Sequence, residues 1–217
     1  KHAGTAQWGE SNSDLYDGEI KAVDGEIGRI LQALKDRDMD RRTVIILTSD
    51  HGEEFGEHGG KHHGKKLYEE SIRVPLIIRV PGFKGARFSA PVSTIDIPET
   101  MANLAGAPAG KDYGSQSLLG LFQGLQPEDS NREIYVDNIR HEDRQTARWL
   151  AYIKGSKKLV LNVAHGKTQL FDLRKDPGEK RNLARSDLKT ATQMATRARA
   201  RLKTYQNEEF NRLMAKH

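Results

Sequence analysis

Two short runs of apolar and β-branched residues limit most strongly what this chain can fold into. They are residues 43–48, Thr-Val-Ile-Ile-Leu-Thr, and residues 74–80, Val-Pro-Leu-Ile-Ile-Arg-Val. Such runs are typical of parallel strands buried on both faces. Residues 14–34 precede them, with apolar residues at spacings of three and four that predict an amphipathic helix capped by Ser13 or Asp14. A helix followed by two strands with a polar loop between them predicts an α/β fold.

The second half of the chain carries a different pattern. A helix predicted at residues 96–105 leads into residues 107–132, which are rich in Gly, Pro and polar residues and predict an irregular connection. Four strand-like runs follow, at residues 133–136, 147–153, 158–163 and 169–173. Gly-containing turns between them favour antiparallel hairpins. We expect two domains: residues 1–130 as part of the α/β core, and residues 131–217 as a small antiparallel sheet packed with a terminal basic helix.

Composition excludes several classes of function. The 217 residues include no cysteine, which excludes disulfides, thiolate metal sites and thiol nucleophiles. No apolar run approaches the roughly 18 residues that span a bilayer, so we expect no membrane span in this chain. The net charge of +5 equals the excess of eight basic over three acidic residues in segment 184–217. Aromatic residues are scarce there, so we expect a solvated helix face and no nucleic-acid partner.

Asp50 and His51 follow the first apolar run, where a strand is predicted to end. Ligands of open parallel sheets bind at the carboxyl ends of the strands, which makes both residues candidates. A carboxylate beside an imidazole offers oxygen and nitrogen to a divalent cation, and Gly52 lets the backbone turn away. An aspartate that caps the next turn beside an incidental histidine explains the pair equally well.

The next loop concentrates groups that bind anions or metals. Four of the eight histidines lie between residues 51 and 63. Histidine supplies metal ligands and transfers protons near neutral pH, while lysines such as Lys65 supply a fixed positive charge. The glycines of the loop equally suit a mobile surface loop with solvated histidines, but the clustering favours a site.

One order of motifs runs through nearly the whole chain. Its central part is residues 48–60, Thr-Ser-Asp-His-Gly-Glu-Glu-Phe-Gly-Glu-His-Gly-Gly. The other parts are His63-Gly64, Leu67-Tyr68-Glu69-Glu70, residues 73–78, residues 94–100 and residues 169–183. This order resembles the sulfatase family of the alkaline-phosphatase-like superfamily. The resemblance implies part of a mostly parallel sheet with flanking helices, followed by a small antiparallel sheet packed with a helix.

The resemblance also implies roles for three residues, and a fourth candidate lies close to them in sequence. Asp50 and His51 sit where the family binds one divalent metal ion, usually calcium. His63 sits where the family places a basic residue against the sulfate ester, which makes it a catalytic and substrate-binding candidate. Lys65 is a second substrate-binding candidate, although a surface lysine explains it as well. Preorganised cations and hydrogen-bond donors stabilise the delocalised negative charge of a sulfuryl group.

The sequence departs from the family at the nucleophile. The family uses a formylglycine made from Cys or Ser in a Cys/Ser-x-Pro-x-Arg motif, with an N-terminal pair of aspartates on the metal. This chain has no cysteine, and residues 89–93, Ser-Ala-Pro-Val-Ser, lack the arginine. We therefore expect the C-terminal half of a sulfatase. The N-terminal half, with the formylglycine, would be a partner that was cleaved, lost or not included, and the isolated chain would be inactive.

Two alternatives remain open at this point. A phosphodiesterase or phosphonate monoester hydrolase of the same superfamily would use two zinc or manganese ions, with the extra histidines as ligands. A catalytically inactive fragment would fold or bind anions without turnover. A Cys/Ser-x-Pro-x-Arg motif upstream of Lys1 would indicate the sulfatase. For the sulfatase, family habit favours a periplasmic or secreted protein.

Overall fold

The computed structural model describes residues 11–108, 114–125, 131–138, 149–163 and 165–214, the last ten of these as backbone only. The chain divides into two compact units. Unit 1 consists of residues 1–62 and 74–85, and unit 2 consists of residues 63–73 and 86–217. The domain boundary that the sequence predicts between residues 130 and 131 stays a prediction.

Unit 1 begins with a long helix. Its elements are α1 (Asn12–Asp36), a 3-10 turn (Asp40–Arg42), β1 (Ile45–Thr48) and β2 (Leu76–Arg79). The predicted helix is confirmed, but the predicted cap is wrong. Ser11 caps α1, because its hydroxyl accepts from the backbone N–H of Asp14 while the Asp14 carboxylate accepts from the backbone N–H of Ser11. Asp14, three residues after the cap, therefore completes a capping box with Ser11.

The two apolar runs of unit 1 form one antiparallel strand pair. Ile46 lies opposite Ile78, and Leu47 lies opposite Ile77. Among the described residues β1 and β2 pair only with each other, so the expected parallel neighbours are not found there. The Ile77 side chain is 61% exposed, so burial on both faces was also wrong for this strand. An apolar run predicts a strand, but the direction of its neighbour depends on residues far away in sequence.

Unit 2 contains the antiparallel sheet that the second half of the sequence predicts. Its strands are β3 (Glu133–Asp137), β4 (Trp149–Lys154), β5 (Lys157–Asn162) and β6 (Thr168–Asp172), hydrogen-bonded in that order. Its helices are α2 (Glu69–Ile72), α3 (Asp96–Leu104), α4 (Leu119–Phe122) and the basic helix α5 (Leu188–Met214). Each neighbouring strand pair is antiparallel, as predicted. Gly155 takes a left-handed φ of 58° in the two-residue turn between β4 and β5, which suits a tight hairpin.

Both faces of this sheet are covered. On one face Leu159 and Leu161 of β5 pack with Met194 and Ala198 of α5. On the other face Val160 packs with Leu67 and Tyr68, the residues just before α2. β5 is buried along nearly its full length, so unit 2 has a core of its own. Within the parts of the chain that the structure describes, no helix is both long and apolar enough to cross a membrane.

Candidate functional site

Asp50 and His51 directly follow the end of β1 in unit 1. The Nδ1 atom of His51 lies 2.8 Å from the carbonyl oxygen of Gly52. A carbonyl oxygen only accepts hydrogen bonds, so Nδ1 is the donor in this contact. Nε2 lies 3.6 Å from Oδ2 of Asp50. The Gly52 carbonyl thus orients the imidazole so that Nε2 lies near a carboxylate oxygen of Asp50.

The Asp50 carboxylate is held in its charged form. Its Oδ1 accepts a 3.0 Å hydrogen bond from the backbone N–H of His51. This hydrogen bond, and after it the charge of the His51 ring, lowers the pKa of Asp50. The side chain is exposed, so it can act as an ionised ligand without the cost of burying a charge.

Glu53 supplies a third possible ligand in the same unit. A carboxylate oxygen of Glu53 and a ring nitrogen of His51 lie within 4.8 Å of each other. The two side chains are half-buried. The sequence pattern assigns no role to Glu53, because glutamates also occur at positions 54 and 57 and nothing in the spacing separates them.

The loop after Glu53 is a closed hairpin. Glu54 and His62 exchange two backbone hydrogen bonds, of 2.9 and 3.2 Å. The Glu54 side chain is only 2% exposed, and a Cβ atom added to Gly60 would lie 1.5 Å from Glu54 Oε2. Gly60 therefore permits a close approach of carboxylate and backbone that any other residue would block. His62 takes a left-handed φ of 69°, so its backbone is more constrained than its place in a glycine-rich loop suggests.

His63 and Lys65 belong to unit 2, and both side chains are exposed. Asn138, the residue after β3, forms hydrogen bonds with the backbone of the segment that contains them. Its side-chain amide donates to the carbonyl oxygens of Gly64 (3.5 Å) and Lys65 (3.3 Å), and its Oδ1 accepts from the backbone N–H of Trp149 at 2.7 Å. Asn138 therefore links the segment that carries both candidates to strands β3 and β4.

A buried group of three charges holds the start of α2 against the sheet of unit 2. Lys158 Nζ lies 2.9 Å from a carboxylate oxygen of Glu69 and 2.9 Å from one of Glu179, and Lys158 is fully buried. Glu179 also accepts a 2.6 Å hydrogen bond from the backbone N–H of Glu69. Burial raises the pKa of Glu179, although Lys158 opposes that rise. The contacts fix the helix that begins a few residues after His63.

The structure divides the four predicted site residues between the units. Asp50 and His51 lie together in unit 1, while His63 and Lys65 lie two residues apart in unit 2. Their functional roles stay predictions. Sequence reasoning missed Asn138 and Lys158: Asn138 follows a predicted strand, but its partners Gly64 and Lys65 are over seventy positions away.

Two family models match this chain. The model named Sulfatase matches residues 2–107, and the model described as N-sulphoglucosamine sulphohydrolase, C-terminal, matches residues 56–208. Arylsulfatase K from Canis lupus familiaris is 34% identical over 177 residues, which are 75% of this chain and 31% of that protein. The chain spans about a third of the length of the curated relatives it matches.

Solved structures resemble the chain over most of its length. One was determined in complex with its substrate D-glucosamine-2-N,6-O-disulfate. It has a TM-score of 0.70 and 26% identity, and the match covers 86% of this chain and 40% of that one. A phosphonate monoester hydrolase of Agrobacterium radiobacter has a TM-score of 0.74 and 27% identity, with 88% and 41% of the two chains covered. These similarities confirm the predicted α/β fold.

Proposed function

Because this chain belongs to the sulfatase family of the alkaline-phosphatase-like superfamily, we propose that it supplies metal ligands and a cationic sulfate-binding group to a sulfuric ester hydrolase. The proposed substrate class is the sulfate monoesters. The observation that carries the proposal is the arrangement of Asp50 and His51 at the end of β1, with Nε2 and Oδ2 3.6 Å apart.

The donor set fits a divalent cation. Two ligand atoms that each lie about 2.0–2.6 Å from one ion are commonly separated by about 3–4 Å, which the Asp50–His51 pair satisfies. Glu53 adds a second carboxylate near His51. Carboxylate oxygens suit calcium, the metal we propose, and the rest of its shell would come from groups outside this set. When bound, the cation polarises sulfate oxygens and offsets their charge.

His63 and Lys65 are the proposed groups for the sulfate ester. His63 would donate a proton or a hydrogen bond to the departing ester oxygen, and Lys65 would attract the sulfate through its charge. Both side chains are exposed in unit 2, where a substrate can reach them. Asn138 would hold the backbone of their segment in one conformation.

The nucleophile would come from outside this sequence, since the sequence contains no Cys/Ser-x-Pro-x-Arg motif. We propose a formylglycine on an N-terminal segment as that group. Without a covalent nucleophile, a sulfuryl transfer enzyme loses the step that divides one high barrier into two. The 217-residue chain alone should therefore hydrolyse aryl sulfates no faster than the uncatalysed background.

Calcium titration of the 217-residue chain, followed by calorimetry and by the NMR signals of the loop after β1, tests the metal site. Asp50→Asn should weaken calcium binding by about tenfold or more, because it removes a charged ligand from a hard cation. His51→Ala should weaken it less. Asp24→Asn removes the same charge from an exposed position of α1 and should have no effect. Equal affinities for the Asp50→Asn variant and the unaltered chain would contradict the metal assignment.

The role of His63 is tested in a protein that contains this sequence together with the nucleophile segment. His63→Ala should reduce kcat by about two to four orders of magnitude, the usual range for a positioned acid or base. His62→Ala, on the adjacent and equally exposed side chain, should leave kcat nearly unchanged. Equal losses from the two substitutions, or a larger loss from His62→Ala, would show that the register assumed for this loop is wrong.

A phosphodiesterase or phosphonate monoester hydrolase of the same superfamily is the second candidate function. It is supported by the similarity to two phosphonate monoester hydrolases, at 27% and 28% identity. Assays of the same protein with an aryl sulfate and an aryl phosphonate distinguish the two. A kcat/KM at least tenfold higher for the phosphonate would favour the second candidate.

A further inference from the structure

A cavity of about 500 Å³ lies within unit 2. The residues of its lining that bear on its chemistry are Gly114, Arg132, Glu133, Tyr135, Arg197 and Arg201. Three arginines and one glutamate give these residues a net charge of +2, and the buried Asp96 that pairs with Arg132 lowers it to +1 for the group as a whole. A volume of this size is in the range of small-ligand sites, and no role proposed above uses it.

The cavity is built on rigid elements. Arg197 and Arg201 are four residues apart on α5, so their side chains project from the same face of the helix. Met194 and Ala198 of the same helix are buried in the core against the sheet. The packed helix therefore fixes the backbone positions from which the two arginine side chains extend.

The carboxylates around the cavity already have cationic or hydroxyl partners. Asp96 accepts hydrogen bonds on both oxygens from the buried guanidinium of Arg132. Glu133 accepts from the Tyr135 hydroxyl at 2.8 Å and from Arg197 Nε at 3.1 Å. Burial acts to raise the pKa of Glu133, but its hydrogen bonds outweigh burial and lower the pKa to about 2. Glu133 is therefore a fixed part of the charge network.

We propose that this cavity binds the sulfate or carboxylate group of an acidic saccharide, with Arg201 and Arg197 as its main contacts. Guanidinium groups bind oxyanions through paired N–H donors. Arg197 donates to Glu133 through Nε, so its two terminal nitrogens can point towards a ligand. The backbone of Gly114 lies next to Arg201, since a Cβ atom added to Gly114 would lie 3.4 Å from a terminal nitrogen of Arg201. Gly114 has a left-handed φ of 83°. The choice of a saccharide rests on the proposed function together with the disulfated glucosamine bound in one similar structure; the choice of an anion rests on the cavity.

The test is a calorimetric titration of the 217-residue chain with D-glucosamine-2-N,6-O-disulfate, inorganic sulfate and uncharged N-acetylglucosamine. The disulfated sugar should bind more tightly than sulfate, and the uncharged sugar should not bind. Arg201→Gln should raise the Kd for the disulfated sugar about tenfold or more, the usual effect of a charged hydrogen-bond donor. Arg199→Gln makes the same change about 200° around the helix and should leave the Kd unchanged.

His63→Ala separates this proposal from the proposed function. The variant should leave the Kd at the cavity unchanged, because it alters a different segment of unit 2. If His63→Ala raises the Kd and Arg201→Gln does not, the sugar binds at the candidate catalytic segment and the cavity proposal is overturned.

Equal effects of Arg199→Gln and Arg201→Gln would overturn the cavity proposal in favour of a general charge effect. Sulfate binding as tightly as the sugar would overturn the saccharide part. Since the readout is binding, a failure of the hydrolase proposal leaves the expected anion binding at the cavity unchanged.

Discussion

The two units bury apolar residues to very different extents. In unit 1, no residue of α1 is fully buried, and Ile30 of that helix is 62% exposed. In unit 2, Leu159 and Leu161 of β5 are fully buried, and so is the charged Lys158. Unit 2 is therefore stabilised by its own core, whereas the described residues of unit 1 leave much of its apolar surface exposed. The candidate metal ligands lie on the less well packed of the two units.

The largest effect on stability should come from the buried charges of unit 2. Lys158→Met leaves two carboxylates without their shared cation and should lower the free energy of unfolding by about 3–5 kcal/mol. Lys157→Met, at the next residue, removes the half-buried lysine that pairs with buried Asp172. Asp172 keeps a backbone hydrogen bond from Arg174, so the substitution should cost only about 1 kcal/mol. Urea denaturation measures both. Similar losses for the two variants would show that the buried group contributes no more than the partly exposed Lys157–Asp172 pair.

Truncation of one aliphatic side chain in each unit tests the packing comparison directly. Leu159→Ala removes a fully buried side chain from β5 and should cost about 3 kcal/mol. Ile77→Ala removes a side chain that is mostly exposed on β2 and should cost less than about 1 kcal/mol. The same pair measured in a longer protein sharpens the comparison, because a larger cost for Ile77→Ala there would mean that added residues cover β2.

Unit 1 has one position where tight packing is expected to matter. Gly60→Ala places a Cβ atom onto the buried Glu54 carboxylate and should cost about 2 kcal/mol through overpacking. Gly28→Ala lies on exposed α1 with nothing within 4 Å of the new Cβ and should stabilise the helix by about 0.5–1 kcal/mol. Thermal unfolding followed by circular dichroism measures both. Unchanged stability of the Gly60→Ala variant would mean that the Glu54 carboxylate moves away without cost.

The smallest expected effect is a pH dependence confined to unit 2. The pKa of Glu133 is lowered to about 2, so its contribution to stability is present above about pH 4.5 and is lost as the pH falls toward 2. Glu133→Gln should therefore destabilise the chain by about 1–2 kcal/mol at pH 7, and the difference should shrink below pH 4.5.

The control for this prediction comes from unit 1. Glu26→Gln, which removes an exposed pair with Arg29, should change stability by only a few tenths of a kcal/mol. Urea denaturation between pH 2.5 and pH 7 gives the comparison. A difference between the Glu133→Gln variant and the unaltered chain that stays constant across this range would contradict the pKa of Glu133.

Local patterns predicted most elements of this chain, but not how they face one another. The 3.6-residue period predicted α1, and the strand-like runs with their Gly-containing turns predicted the antiparallel sheet of unit 2. The face of β5 that carries Lys158 shows the limit of such patterns. A lysine in a hairpin strand usually points to solvent, yet residues 67–72, which lie before the sheet in sequence, cover that face.

The candidate site shows the same division between local and distant information. The sequence by itself determined the place of Asp50 and His51 at the end of an apolar strand, because residue type and strand length are local properties. Only the tertiary structure decided the antiparallel partner of β1, the link from Asn138 to the segment of His63 and Lys65, and the burial of Lys158 between Glu69 and Glu179. These contacts join residues some thirty to more than a hundred positions apart. Their energies depend on burial and distance, which no local pattern of residues specifies.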